Sequence, residues 1–490
     1  MTSHRHYYLL TGATGLLGRY LLRNLLLRDI PVAVVVRGTR LASAKARVES
    51  LLVEIEQSLG RELPRPMVLT GELTEPGLGL SLSDLDWARH NVAAILHNAA
   101  SLTFDKAERH EEPWLSNVTG TQNVLDLSRE LGVRKFHHVS TAYVCGQRRG
   151  RILESELDVG QAFGNDYEAS KLEAETLVRA AAWLDGPTIY RPAIIVGDSR
   201  TGFSNTFHGF YTPLQIAHSM INKLRLSEVE PRSLIDILGL TGDEKKNLVS
   251  VDWVAAVIAH LVGDRRHHGL TYHLTPREAT PIALLCDVFS EAVLHHSIDL
   301  ERAASPAAVN GQSFASFQRL FHSQMAVYQA YWRDDPVFDA ANMLAHAPHL
   351  PSPALDRATL LMLCKFAIDH NFWWSRGTEQ AVEIDIEAEL RSRLEPTKGI
   401  NGAAHLNLYL TGPGGGAWRL WFHDGRLCGV TAGNGASGAA ELQSSTASFA
   451  SLLRGELNLA SAFASGALIA TKNLVSGEDL REMLAALGTK

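Results

Sequence analysis

Three glycines, Gly12, Gly15 and Gly18, sit in "YLLTGATGLLGRY" (residues 8–20), where the apolar run Tyr7–Leu10 gives way to the helix-like run "LLGRYLLRNLLLRD". A strand that passes into a helix over glycines offers bare backbone N–H groups and the positive end of a helix dipole. Those are the requirements of a bound pyrophosphate. Gly12 permits the tight turn, Gly15 removes a side chain that would block phosphates, and Gly18 lets helix and strand pack closely. The triplet alone is weak evidence. Its place between a strand-like and a helix-like run, at the head of an alternating pattern, gives it weight against the bland reading of a mere turn.

That pattern runs through about the first 280 residues. Short apolar runs at Tyr7–Leu10, Val32–Val36, Met67–Leu69, Ala93–Leu96, Phe136–Val139 and Thr188–Tyr190 alternate with helix-like segments. Such runs suit strands buried on both faces of a doubly wound parallel α/β sheet of Rossmann type. Residues 281–397 read as a helical extension or linker with aromatic clusters and a Pro-containing break. Beyond the turn-rich seam "LEPTKGINGA", Leu406, Leu408 and Leu410 alternate with polar residues. "GPGGG" and a second alternating run with Trp418, Leu420 and Phe422 follow. That is hairpin grammar, and it predicts a small α+β domain over 398–490. The expected units are therefore 1–280, 281–397 and 398–490.

A formal charge of -7 leaves no basic excess for nucleic acid. No run of about 18 apolar residues predicts a transmembrane helix. The N-terminus lacks a secretory pattern, and the dispersed Cys145, Cys286, Cys364 and Cys428 suit neither a zinc site nor a disulfide framework. A reducing cytoplasm is the expectation, with the cysteines in the core. The adjacent pairs His137/His138, His267/His268 and His295/His296 would point to opposite faces in a strand, and no metal site is expected.

The second strand ends in "VVVRGTR". Where an acidic residue would meet the ribose hydroxyls of NAD, this chain has Arg37, with Arg40 nearby. A guanidinium grips a 2′-phosphate that a carboxylate would repel, so NADPH is the expected cofactor; a solvated surface arginine is the alternative. In "DYEASKLEAE", Tyr167 and Lys171 share one helix face at i,i+4. A neighbouring ammonium favours phenolate, which would draw a phenol down from its usual pKa of about 10. Lys171 can also bond the nicotinamide ribose. The strand "KFHHVS" running into "TAYVCG" puts Ser140 and Thr141 at the strand edge where ligands bind. A hydroxyl there could bond a substrate carbonyl. Tyr143 ranks as packing or substrate contact.

Taken in order, "TGATGLLG", "HNAA", "STAYVCG", Tyr167 with Lys171, and "YRPAIIVGDSRTG" resemble an extended short-chain dehydrogenase/reductase over about residues 5–275. "LTGELTEPGLGLS" narrows the resemblance to the thioester-reductase and fatty acyl-CoA reductase branch, with Glu72 where an aspartate is usual. The resemblance implies a catalytic trio of Thr141, Tyr167 and Lys171. It implies cofactor contacts from Gly12, Thr14, Gly15, Leu16, Leu17, Arg37, Arg40, Glu72, Leu73, Asn98, Ala99, Ala100, Tyr167, Lys171, Pro192 and Ile194. Asn117 ranks as structural. The segment from "GPGGGAWRLWF" to "LASAFASGALIA" resembles a sterol carrier protein type 2-like domain, which implies an apolar ligand.

Two reductive functions fit. One is NADPH-dependent reduction of a lipophilic acyl thioester to aldehyde or alcohol. The chain shows no adenylation domain and no carrier-protein serine motif, so CoA or a separate carrier would deliver the thioester. The other is interconversion of a free hydrophobic ketone and alcohol. A non-catalytic lipid carrier is a third reading, disfavoured by the intact Thr141, Tyr167 and Lys171.

Overall fold

The computed structural model describes residues 6–39, 43–104, 106–224, 235, 239–296, 333–372, 386–394, 404–411, 416–423, 426–433, 440–455, 457–459, 462 and 468–471. The chain divides into two compact units, residues 1–377 and 378–490.

The first unit is built on strands β1 (Tyr7–Thr11), β2 (Val32–Val36), β3 (Met67–Thr70), β4 (Val92–His97), β5 (Lys135–Val139) and β6 (Thr188–Pro192). After these come β7 (Ile194–Val196), β8 (Leu248–Ser250) and β9 (Thr271–Leu274). Seven of them form one parallel sheet in the order β9-β6-β5-β4-β1-β2-β3. β7 and β8 pair with each other as a separate parallel ribbon. The helices are α1 (Leu16–Leu26), α2 (Ala44–Leu59), α3 (Leu82–Asn91), α4 (Gly120–Leu131) and α5 (Asp166–Ala180), then α6 (Tyr211–Leu224), α7 (Val251–Val262), α8 (Ile282–His296) and α9 (Arg357–Asp369).

Strand periodicity dictates how the layers form, since successive side chains point to opposite faces. Leu10 and Val34 pack with Leu21 and Leu22 of α1 and Val254 and Ile258 of α7 on one face. Leu9, Ala33 and Ile95 pack with Val124 and Leu125 of α4 and Val178 of α5 on the other. A third apolar cluster joins α6, α8 and α9 around Phe210, Leu214, Phe289 and Leu363. Cys145, Cys286 and Cys364 are buried free thiols, while Cys428 is half-buried.

The second unit holds a five-stranded sheet of β10 (Ala404–Thr411), β11 (Gly416–His423), β12 (Arg426–Ala432), β13 (Ala440–Ser445) and β14 (Leu468–Thr471), in the order β12-β11-β10-β13-β14. β10 and β11 pair antiparallel with Leu406 opposite Leu420 and Leu408 opposite Trp418. The alternating apolar residues of both strands are buried, as are Phe449, Leu452 and Leu453 of the helix Thr446–Leu453. Residues 412–415 of the glycine turn and most of the small-residue run 459–470 lie outside the described residues.

Candidate active site

The strand order reverses between β1 and β4, and the crevice beyond their carboxyl ends is stitched by one hydroxyl. Thr11 Oγ1 accepts from the backbone N–H groups of Asn98 and Ala99, both at 3.1 Å, and bonds His97 Nδ1 at 2.8 Å. Asn98 Nδ2 donates to the Gly12 carbonyl at 3.3 Å. His97 also meets Thr121 Oγ1 at 3.0 Å, and burial pulls its pKa down to about 3, so the ring is neutral. This is the point at which open α/β sheets bind ligands.

The glycine turn lies against that crevice. Gly12 has φ +71°, and a Cβ there would fall 2.8 Å from the Ala99 backbone. A Cβ on Gly18 would fall 1.9 Å from the Gly12 carbonyl oxygen, so this glycine lets the first turn of α1 close on the loop itself. Gly15 is different: the nearest atom to its Cβ position is 3.5 Å away, an ordinary contact, and the residue stands at the N-cap of α1 in a cavity wall. Positive backbone geometry with a clear approach fits a dinucleotide pyrophosphate.

A cavity of about 670 Å³ begins here. Its wall includes Gly12, Thr14, Gly15, Leu16, Leu17, Arg37, Glu72, Leu73, Asn98, Ala99 and Ala100, and continues to Thr141, Tyr167, Lys171 and Ile194. The structure thus brings together every residue of the expected set except two. Pro192 does not line the cavity: it ends β6, and its carbonyl is met by Thr141 Oγ1 at 3.5 Å. Arg40 lies outside the described residues. Glu72 sits 3.4 Å from the Arg37 guanidinium, and both groups are well exposed.

The sequence reading missed Arg47. It projects from α2 into the same cavity wall, donating to the Arg37 carbonyl at 2.7 Å and approaching Thr14 Oγ1 at 3.5 Å. The only signal was the basic start of the helix, "AKAR", after the second strand.

Around Tyr167, Asn165 caps α5 by accepting from the Glu168 N–H at 3.0 Å, which sets Tyr167 in the first turn. The Thr141 hydroxyl stands near enough to the Tyr167 phenol to favour its ionised form. Thr141 Oγ1 also accepts from the Tyr143 N–H at 3.2 Å, capping the short turn Ala142–Cys145. Burial pushes the Tyr167 pKa up to about 12, against the opposing pull of Thr141. The expected lowering by Lys171 is not found: the lysine ammonium is turned to the Val139 carbonyl at 2.8 Å. Burial pulls the Lys171 pKa down to about 8, while Glu175 opposes the shift.

Ser140, one of the two strand-edge hydroxyls that could meet a substrate carbonyl, donates instead to the buried Glu175 carboxylate at 2.7 Å. Glu175 also takes a bidentate pair from Arg191, at 2.7 and 3.0 Å, and bonds from Arg179 at 2.8 and 2.9 Å. Asn117 is buried too, held between Ser101 and the Ser170 hydroxyl.

Two residues of a distant segment, Arg333 and Asp335, hold the loop after Thr141, and Asp334 between them ties the segment to Lys245. Arg333 donates to the carbonyls of Gly146 and Gln147 at 3.0 and 3.1 Å. Asp334 accepts from the Lys245 N–H at 2.9 Å. Asp335 accepts from the Tyr143 hydroxyl at 2.7 Å and the Asn247 N–H at 2.8 Å, and pairs with the Lys246 ammonium. Tyr143 and Lys246 both line the cavity. Nothing in the sequence spacing linked residues this far apart.

Among the described residues no three His, Cys, Asp or Glu side chains are grouped to hold a metal, and no helix is long and apolar enough to cross a membrane.

Comparison with known proteins agrees with this fold. The terminal R domain of the myxalamid PKS-NRPS pathway superposes with a TM-score of 0.57 at 24% identity, covering 76% of this chain and 93% of that one. A thiolation-reductase di-domain from an archaeal non-ribosomal peptide synthetase gives 0.54 at 17% identity, covering 75% and 76%. These two likenesses concern the fold. In sequence, the chain is 32% identical over 201 residues to a linear gramicidin synthase polypeptide of Brevibacillus parabrevis, covering 40% of this chain and 4% of that protein. It is 26% identical over 237 residues to fatty acyl-CoA reductase wat of Drosophila melanogaster, covering 42% and 46%. The chain thus spans less than half the length of each of these two relatives. Residues 10–258, just over half the chain, match the family described as Male sterility protein, whose model is called NAD_binding_4. With its glycine turn at the switch point of a seven-stranded parallel sheet, the chain belongs to this family and is an NAD(P)-binding oxidoreductase of the extended short-chain dehydrogenase/reductase class.

Proposed function

We propose that this chain is an NADPH-dependent reductase of lipophilic acyl thioesters. The observation that carries the reading is the one continuous cavity. Its wall holds two guanidiniums, a neighbouring Thr–Tyr pair with a buried lysine, and an apolar face.

NADPH, when bound, supplies the hydride to the acyl carbon. The chain's residues do the rest. Gly12 and Gly15 leave the backbone free for the pyrophosphate, and Arg37 and Arg47 face the 2′-phosphate. Thr141 and Tyr167 hydrogen-bond the carbonyl oxygen, and Tyr167 gives it a proton. With its pKa at about 12, Tyr167 carries that proton throughout the neutral range. Lys171, deep in the site, holds the cofactor's ribose. The resulting hemithioacetal loses thiol to leave an aldehyde. The similarity to a fatty acyl-CoA reductase and to a linear gramicidin synthase supports a thioester, delivered by CoA or a carrier protein. Reduction of a free hydrophobic ketone would use the same residues.

Product analysis separates the two chemistries. Purified enzyme with NADPH and an acyl-CoA is expected to consume NADPH with stoichiometric release of free thiol and formation of aldehyde or alcohol. Turnover of hydrophobic ketones with no thiol released from any acyl-CoA would overturn the thioester reading.

The NADPH preference has its own test. Loss of a charge-assisted contact to phosphate costs about 1.5–3 kcal/mol. Arg37→Ala and Arg47→Ala should each weaken NADPH by roughly that amount and leave NADH nearly unchanged in a binding titration. Equal weakening of both cofactors would remove these residues from the 2′-phosphate.

For the second unit we propose an apolar-ligand role of the sterol-carrier kind, supported by its buried alternating face of Leu406, Leu408, Leu410, Trp418, Leu420 and Phe422. Saturable uptake of a fluorescent fatty acyl probe by the full chain is the measurement, and its absence would leave a packing module.

A further inference from the structure

The cavity does not stop at the catalytic side chains. Beside Thr206, His208 and Gly209, its wall also takes in Phe210, Leu248, Leu285 and Phe289, none of these last more than 4% exposed. These four residues belong to the apolar cluster of α6, α8 and α9, against which Ile194 itself packs. The Phe210 and Phe289 rings lie 5.3 Å apart and tilted, and Phe210 sits edge-on to Tyr211 at 4.9 Å. Tyr211 is fixed in turn, its hydroxyl accepting from the Gly197 N–H at 3.0 Å. Rings backed in this way by a close-packed interior do not yield to a longer ligand without a cost in packing.

Two polar groups of the same wall are already engaged. The Tyr143 hydroxyl and the Lys246 ammonium both turn to Asp335, whose carboxylate also takes the Asn247 N–H. The Lys246 charge is therefore answered within the protein, and Phe210, Leu248, Leu285 and Phe289, members of one packed cluster, form an apolar stretch of the wall.

We propose that Phe210, Leu248, Leu285 and Phe289 form the acyl-chain subsite and that the Phe210–Phe289 pair is its end stop. The substrate is then an apolar acyl group selected by length, its carbonyl at Thr141 and Tyr167 and its terminal carbons against the two rings. This inference rests on the thioester-reductase reading and adds to it the residues that set chain length.

Apolar pockets discriminate a single methylene by roughly 10–200-fold, so a change at the stop is measurable. The probe is a graded series of straight-chain acyl-CoAs, with kcat/KM read as a profile against chain length for each enzyme. Reading each variant against its own best substrate cancels losses of folded protein. Phe289→Ala should shift the profile to longer chains, with a chain just beyond the wild-type limit gaining about tenfold or more over one within it. Leu285→Phe, which adds volume instead of removing it, should shift the profile the other way. Unshifted profiles in both variants, with thioester reduction intact, would overturn the end stop and leave the reductase reading standing. Failure of the wild-type enzyme to reduce any acyl-CoA would overturn that reading, and this inference with it.

Discussion

Tyr167→Phe is expected to lower turnover by about 10²–10⁴-fold while NADPH affinity stays within a few-fold of wild type. The substitution removes one hydroxyl and keeps the ring, which packs against Phe104 with centroids 5.3 Å apart. Thr141 keeps its bond from the Tyr143 N–H, so the turn it caps should survive. What goes is the proton for the carbonyl oxygen. A pH profile adds a second reading. Lys171 titrates near 8 rather than near 10.5, since burial disfavours its charge. Its positive charge, and any turnover that needs it, should therefore be full below about pH 8 and fall as pH rises through that value. Wild-type turnover in the purified Phe variant would remove Tyr167 from the chemistry.

Glu175→Ala should destabilise the fold by about 3–5 kcal/mol, the usual cost of leaving a buried charge without its partner. Glu175 and Arg191 have side-chain exposures of 0% and 1%, so neither can recover its loss through water. Arg179, at 34%, can. Ser140→Ala removes a donor and strands no charge, so its cost should be closer to that of a hydrogen bond to a charged group, about 1.5–3 kcal/mol. Equilibrium urea denaturation checks the order of the two. A Glu175→Ala variant as stable as wild type would mean that Arg191 finds another partner.

The parts of the fold legible in the sequence were those whose signal is local. Glycine punctuation and doubly buried apolar strands carry their own pattern, and the six expected strands of the main sheet are present with ends moved by one or two residues. The seventh, Thr271–Leu274, was not foreseen, because "TYHL" at the sheet edge has no continuous apolar run. The β7–β8 ribbon joins residues some fifty positions apart, a pairing that no window of sequence reveals. The site divides in the same way. The glycines, Arg37 and the Tyr167–Lys171 spacing could be read directly. Arg47 reaches the cavity only because of the direction α2 takes, and Asp335 only because a distant segment returns to the catalytic loop. The sign of the Tyr167 shift was misjudged for a related reason. Spacing indicates which groups are neighbours, but how much solvent is excluded around a phenol depends on elements scattered along the chain.

The hold of Arg333 and Asp335 on the loop after Thr141 bears on the order in which the molecule matures. The seven-stranded sheet has all its strands once Leu274 has been made. The hydroxyl and carbonyl groups of Tyr143, Gly146 and Gln147 must wait for partners encoded well beyond that point. In order of synthesis, every strand flanking the crevice between β1 and β4 therefore precedes the partners that anchor the loop after Thr141. On the function proposed above, a growing chain can acquire its cofactor site, and the stability a bound cofactor confers, before the loop that bears Thr141 is anchored.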